Sequence, residues 1–254
     1  MTDRARSFGA VAAAYERFRP GYPDALVDHV LAYAGTPVHT ALEIGAGTGK
    51  ATRAFAARGV AVTATDPDPG MLAELRRHVP SSVTTVESAF EDLPIGTTYD
   101  LVYAAASLHW TRVEGRWERI AALLGDEGVF ASFGGPYRLA DPEVQDLENA
   151  ARRPFLADEE QVAPDGTSED AAMQWPGTEL ERSDLFTDVQ QVVIERPITQ
   201  PSRDYVDHLS TVSYFLQVPE PSRSELFAAI LAALPAEVAV TADLTLHLAR
   251  RAAV

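Results

Sequence analysis

Leu42-Glu43-Ile44-Gly45-Ala46-Gly47-Thr48-Gly49 is the stretch whose reading decides the fold. It closes an apolar run at 41–45 that reads as a buried strand. It opens a helical pattern over 48–58, which Gly59 stops. A strand that passes into a helix through closely spaced glycines has the form of a nucleotide-binding turn. Glycine there lets the backbone turn sharply and approach a ligand with no Cβ in the way. Asp66 ends the next predicted strand, 21 residues after Gly45. Its carboxylate comes to lie beside the turn, where it can accept hydrogen bonds from two ribose hydroxyls.

Strands and helices alternate outward from this turn. Further strands are predicted at 60–65, 82–87, 99–106 and 128–133. Asp68-Pro69 marks an N-cap and a first helical residue for a helix whose inner face is Met71, Leu72, Leu75 and Val79. Trp117, Ile120, Ala121 and Leu124 mark another helix, closed by Gly125. Upstream, Phe8, Val11, Ala12, Tyr15 and Phe18 form a helical stripe broken by Pro20-Gly21-Tyr22-Pro23. A second helix starts with Asp24 as its expected N-cap, carries Leu26, Val27, Val30, Leu31 and Ala34, and ends at Gly35. This βαβ succession predicts a mostly parallel sheet with helices on both faces.

Downstream the rhythm breaks. Residues 137–186 are acid-rich, contain Pro142, Pro154, Pro164 and Pro176, and predict short helices and loops without a strand. A strand follows at 189–195. Tyr205, Leu209, Val212 and Leu216 predict one helix, and Leu226, Phe227, Ile230, Leu231 and Leu234 another. Leu244, Leu246 and Leu248, alternating with Thr245, His247 and Ala249, predict a final half-exposed strand. The expected division is a helical cap at 1–35, a cofactor-binding α/β core at 36–136, an insertion over the active site at 137–187, and the last two strands with inserted helices at 188–254.

Composition excludes several classes of function. With 21 basic and 37 acidic residues among 254, the net charge is −16. So acidic a chain repels phosphate backbones and anionic lipids, so neither nucleic acid nor a membrane is expected as partner. The absence of cysteine removes disulfides, thiol nucleophiles and thiolate metal sites. Five of the six histidines, His29, His39, His78, His208 and His247, show no metal-ligand spacing and are expected at the surface or in packing; no metal is expected. The first ten residues have no export pattern and no stretch of 18 uncharged apolar residues follows, so a cytoplasmic protein is expected. The oligomeric state stays open.

Three nucleotide motifs compete for the glycine turn. The nicotinamide fingerprint needs glycine three places after Gly47, where Lys50 stands. A P-loop needs glycine at Ile44 and Ser or Thr at Ala51. The spacing present, E-x-G-x-G-x-G, resembles the first motif of class I S-adenosylmethionine-dependent methyltransferases. Other stretches extend the likeness: Tyr15-Glu16-Arg17-Phe18-Arg19-Pro20-Gly21-Tyr22-Pro23, Phe90-Glu91-Asp92-Leu93-Pro94, Leu108-His109-Trp110 and the closing strand at 241–251. Together they resemble bacterial small-molecule methyltransferases similar to trans-aconitate methyltransferase, over most of the chain except 140–180.

That resemblance implies a doubly wound, mostly parallel seven-stranded sheet of Rossmann-like type. An antiparallel last strand, helical insertions and an N-terminal helical cap belong to it. It implies S-adenosylmethionine as cofactor, held by Gly45, Ala46, Gly47, Thr48 and Gly49, with Glu43 near its ammonium. Asp66 and Pro67 would meet the ribose, with Met71 and Ala104 completing the surroundings. Many relatives carry an aspartate for the adenine amino group, but Ala89 occupies that position here. Phe90 would then supply a backbone N–H and a stacking ring, with Glu91 or Asp92 as substitute acceptor.

The remaining candidates each have two readings. Tyr15 and Arg19 either close over the methionine end or belong to the apolar stripe and to solvent. His109 either removes a proton from an attacking group, with Tyr15 the other catalytic candidate, or packs beside the cofactor. Trp110 and Tyr22 would wall the acceptor pocket. The expected reaction is methyl transfer to an O-, N- or C-nucleophile on a small molecule. The alternatives are a cyclisation or rearrangement on the same cofactor site, or a binding module without turnover.

Overall fold

The computed structural model describes residues 9–156, 163–168 and 170–253, so Phe8 of the N-terminal stripe lies outside the described residues. After a 3-10 turn at Gly9–Val11 come α1 (Ala12–Phe18) and α2 (Asp24–Ala34). The alternating core runs β1 (Thr40–Ile44), α3 (Lys50–Ala56), β2 (Ala61–Asp66), α4 (Pro69–Leu75), β3 (Thr84–Glu87), β4 (Tyr99–Ala105), α5 (Arg116–Leu123) and β5 (Leu124–Gly134). Then follow β6 (Arg138–Leu139), α6 (Pro142–Arg152), α7 (Gly177–Glu181), β7 (Phe186–Ile194), β8 (Pro197–Pro201), α8 (Ser202–Leu209), α9 (Ser213–Leu216), α10 (Ser222–Ala233), β9 (Glu237–Thr241) and β10 (Leu244–Arg251).

Seven strands form one sheet in the order β3-β2-β1-β4-β5-β10-β7. The pairs from β3 to β5 are parallel, and β10 runs antiparallel to both β5 and β7. This is the doubly wound, mostly parallel sheet expected from the sequence. Strand alternation sorts its two faces. Ala41, Val62, Leu101 and Tyr103 pack with Leu26 and Val30 of α2, Phe55 of α3 and Leu72 and Leu75 of α4. Leu42, Ile44, Val102 and Ala104 pack with Ile120 and Leu123 of α5 and Leu180 of α7 on the other face. Each fully buried Leu, Ile or Phe contributes about 1.5–3 kcal/mol.

The caps follow from local chemistry. Asp68 accepts from Gly70 N at 2.8 Å and Met71 N at 3.4 Å, with Pro69 as first helical residue of α4. Asp24 is not the N-cap of α2. Pro23 holds that position, and Asp24, already helical, pairs with Arg58 at 2.9 Å. A carboxylate in the first turn still complements the helix dipole.

A second, antiparallel sheet, β6-β9-β8, lies with α6, α8, α9 and α10 around its own core of Leu139, Tyr205, Leu226, Ile230, Val238 and Val240. This corrects the strandless reading of 137–186 and the expectation of helices alone between the last two strands. β6 has two residues, too few for any periodicity. β8 is bounded by Pro197 and Pro201, which read as breakers but are tolerated on an edge strand. β9 offers only Val238 and Val240 as an inner face. The single helix expected over 205–216 is two. Ser210 Oγ donates to Asp207 O and Thr211 Oγ1 to His208 O, and side-chain bonds of this kind compete with the helical ladder.

Two further boundaries shift. Gly125 lies inside β5 rather than closing α5, because Tyr99 pairs with Leu124 and Leu101 with Val129, so the intervening residues bulge. β10 is not half-exposed: Leu246, His247, Leu248 and Ala249 are all buried, since α2 covers one face of the strand and α7 the other. His247 is a packing histidine, its ring nitrogen 2.9 Å from Gln191 Oε1 and its pKa pushed down to about 4 by burial.

Candidate cofactor and acceptor site

The glycine loop needs its glycines for distinct reasons. Gly45, Gly47 and Gly49 have φ of 67°, 56° and 84°, all in the left-handed region. A Cβ on Gly45 would stand 2.7 Å from Ser107 Cβ, and one on Gly49 2.8 Å from Leu75 Cγ. The first contact lets the loop lie on the turn after β4, and the second lets α3 start against α4. Gly47 is the open one, with Met71 Cε 3.7 Å away as its nearest neighbour.

Asp66, at the end of β2, braces this loop. Its Oδ2 accepts from Gly47 N and its Oδ1 from Asp68 N, both at 2.9 Å. Burial raises its pKa to about 6, against the lowering effect of the two backbone N–H groups. Hydrogen bonds to a charged group are worth about 1.5–3 kcal/mol each. Asp66→Ala is therefore expected to weaken S-adenosylhomocysteine binding at least about tenfold, read by calorimetry. Unchanged affinity would reduce Asp66 to a strand-end turn residue.

Glu43 is the chemically unusual group. It lies on β1, 1 % exposed, between the loop and the core. Thr52 Oγ1 at 2.5 Å and Tyr103 OH at 2.9 Å both donate to its Oε2. Its Oε1 is buried with no partner. Burial raises the pKa to about 8, outweighing those two donors. An orphaned carboxylate oxygen of this kind suits a bound cation with N–H donors, as the ammonium of a methionine moiety would be.

The N-terminal segment closes over the loop through four fastenings. Gly9 N donates to Asp68 Oδ2 at 2.8 Å. Lys50 Nζ donates to Glu16 O at 2.6 Å, and Arg53 pairs with the Glu16 carboxylate at 2.8 Å. Arg19 donates to Thr211 Oγ1 at 2.8 Å and Thr211 O at 3.2 Å, with its guanidinium over the Tyr15 ring. Beneath lies a cavity bounded by the glycine loop on one side and by Tyr137, Arg196 and His208 on the other.

Residues 41–128 match the family described as methyltransferase domain. The matched stretch contains the glycine turn, Glu43 and Asp66. The chain is 41% identical over 109 residues to an uncharacterized methyltransferase of Mycobacterium tuberculosis, covering 42% of this chain and 43% of the relative. The chain thus aligns with under half the length of this relative. A candidate type II methyltransferase of Anaeromyxobacter dehalogenans shares the fold at TM-score 0.62 and 23% identity, over 92% of this chain and 98% of that one. So does phosphoethanolamine N-methyltransferase 2 of Haemonchus contortus in complex with S-adenosyl-L-methionine, at TM-score 0.54 and 16% identity, over 99% and 59%.

The fold brings Tyr15, Arg19, Tyr22, Glu43, Gly45, Ala46, Gly47 and Thr48 to one cavity. Gly49, Asp66, Pro67 and Met71 support the loop or lie beside it outside that lining. Ala104 packs its side chain in the core, and the next two residues, Ala105 and Ala106, line the cavity instead. Ala89 and Phe90 are buried before and within a 3-10 turn, where Phe90 packs in the core. Glu91 is engaged elsewhere, accepting from Arg112 N at 2.6 Å. His109 is exposed on the turn after β4, its ring 4.7 Å from that of Trp110, and neither lines the cavity.

Tyr137, Arg196 and His208 were not among the residues expected at the site. They come from β5's exit, the β7–β8 joint and α8, and no local motif marks them. Among the described residues, no group of three His, Asp or Glu is placed to hold a metal, and no helix is long and apolar enough to cross a membrane.

Proposed function

We propose that this protein transfers the methyl group of S-adenosylmethionine to an O-, N- or C-nucleophile on a small organic molecule. The observation that carries the reading is the shared cavity, with cofactor-loop groups on one side and groups of the second sheet's module on the other, under the N-terminal segment. The cofactor supplies an electrophilic methyl on sulfur, so the chain's own work is placement. The glycine loop, Glu43 and Arg19 would hold the methionine end, while Tyr22 and Tyr137 wall the space the acceptor enters. Reacting atoms held about 3–3.5 Å apart in line gain most of what an enzyme contributes to such a transfer. The fastened N-terminal segment keeps water out during it. His109 lies outside the cavity, so the proposal gives it no proton transfer.

The test is incubation with methyl-labelled S-adenosylmethionine and a macromolecule-free metabolite fraction. Label is expected in a low-mass product, with one S-adenosylhomocysteine formed per methyl moved. Cofactor consumption with no label transferred would favour a cyclisation or rearrangement instead.

A further inference from the structure

Two groups on the second-sheet side of the cavity lack the partners their chemistry demands. Arg196 is half-buried at the joint between β7 and β8, and the groups that act on its charge are the phenols of Tyr137 and Tyr22. Among the described residues, its guanidinium is in no ion pair with a carboxylate, in a chain of net charge −16. A desolvated cation so placed favours an incoming anion.

His208, on α8, is 2 % exposed and lines the same cavity. Its ring stacks on Tyr137, centroids 3.8 Å apart and planes within 13°. The Phe18 backbone lies close enough to the ring to favour its protonated form, and Nδ1 is buried with no hydrogen-bond partner; the neutral tautomer protonated at Nε2 leaves the Nδ1 lone pair free. Burial, then the charge of Arg19, hold its pKa down to about 3. The imidazole is therefore neutral in the physiological range, and its Nδ1 lone pair can only accept.

Resting on the methyl-transfer reading, we propose that the acceptor is an organic acid that also carries a hydroxyl or amine. Arg196 binds its carboxylate, and Nδ1 of His208 accepts its O–H or N–H. Tyr137, stacked on the imidazole, offers its ring to the body of the molecule between them. His208 acts here as a specificity-determining residue and not as a base. Phe18 lies beside the ring, and Tyr15 and Arg19 share the cavity lining with it, so closure of the N-terminal segment completes the acceptor site. A site built to pair with a substrate hydroxyl discriminates strongly against an analogue without it, because the protein's own polar group is then left buried and unpaired.

The full chain, saturated with S-adenosylhomocysteine, is titrated with 2-, 3- and 4-hydroxybenzoate and with 2-hydroxyalkanoates. Each is paired with its primary amide and with the acid lacking the hydroxyl. At least one hydroxy acid is expected to bind, with amide and hydroxyl-free acid each tenfold or more weaker. Arg196→Gln is expected to lose tenfold or more for that acid while S-adenosylhomocysteine affinity stays within threefold. His208→Gln places its amide at the Nε2 position and no acceptor at the Nδ1 position, and it should stop distinguishing the hydroxy acid from its hydroxyl-free partner. His208→Asn, with Oδ1 near the place of Nδ1, should keep the distinction. Amides binding as well as acids, or S-adenosylhomocysteine binding with no acid bound, would overturn the proposal alone. Equal loss of both ligands in Arg196→Gln would assign that residue to the cofactor and overturn it too. Failure of S-adenosylhomocysteine itself to bind would instead overturn the methyl-transfer reading beneath it.

Discussion

Glu43→Gln is expected to weaken S-adenosylhomocysteine binding by about 10- to 100-fold, the range of a lost hydrogen-bonded charge pair, and to flatten its pH dependence. In the parent, Glu43 has a pKa of about 8 because burial disfavours its charged form. An ammonium placed at the orphaned Oε1 favours that charged form and must drive the proton off. Below pH 8, binding therefore releases a proton, and affinity tightens as pH rises, by up to about tenfold per unit. The gain stops near pH 8, where Glu43 is already ionised in the free protein. Glutamine keeps the shape and the bonds to Thr52 and Tyr103 but has no proton to release. Calorimetry at several pH values reads both effects, and a pH dependence surviving in the variant would place the titrating group elsewhere. The same shift acts on the cofactor-free fold with opposite consequence. The folded chain keeps a proton on Glu43 that the unfolded chain, at 4.5, has already lost. The stability due to it therefore falls as pH rises from about 4.5 towards 8.

Deleting residues 1–18 is expected to lower turnover at least about 100-fold, a loss of roughly 2.7 kcal/mol in transition-state stabilisation. The thermal midpoint should fall by no more than about 5 °C, since 1–2 kcal/mol shifts a domain of this size by a few degrees. The asymmetry follows from what α1 contributes. It buries only Ala12, which belongs to none of the three apolar cores. Its polar fastenings at Glu16 and Gly9 hold it to α3 and α4, and Tyr15 contributes to the cavity lining. The segment thus closes the site far more than it supports the fold. Cofactor should slow hydrogen exchange over 9–22 more than in α2. Collapse of the fold on deletion, or equal protection with and without cofactor, would mean that the segment is a fixed part of the core.

What was legible in the sequence is what depends on neighbours along the chain. The glycine turn, Asp66 and the Asp68-Pro69 cap lie within 25 residues of one another, and their spacing alone brings loop, β2 and α4 together. The burial of β10 was not legible, because its two faces are covered by α2 and α7, helices remote from it in the chain. The second sheet was missed because its strands are short or end in proline, and with it went Arg196 and His208. One local signal was available. Ser210-Thr211, two hydroxyls in succession beside His208, marks the helix break that sets Thr211 against Arg19. Ala104 was displaced by one position, since a strand turns successive side chains to opposite faces and the pattern of apolar residues does not say which face meets the ligand. His109 misled because the turn that carries it is placed by Ser107, whose hydroxyl is tied to the Ile44 carbonyl, and the next residues point outward from there.

The most direct test of the central claim is calorimetric titration of the unmodified chain at pH 7 with S-adenosylhomocysteine, NAD and ATP in turn. S-adenosylhomocysteine is expected to bind with a dissociation constant in the micromolar range, about −8 kcal/mol, with neither nucleotide competing comparably. Tight binding of NAD, with none of S-adenosylhomocysteine, would contradict the account.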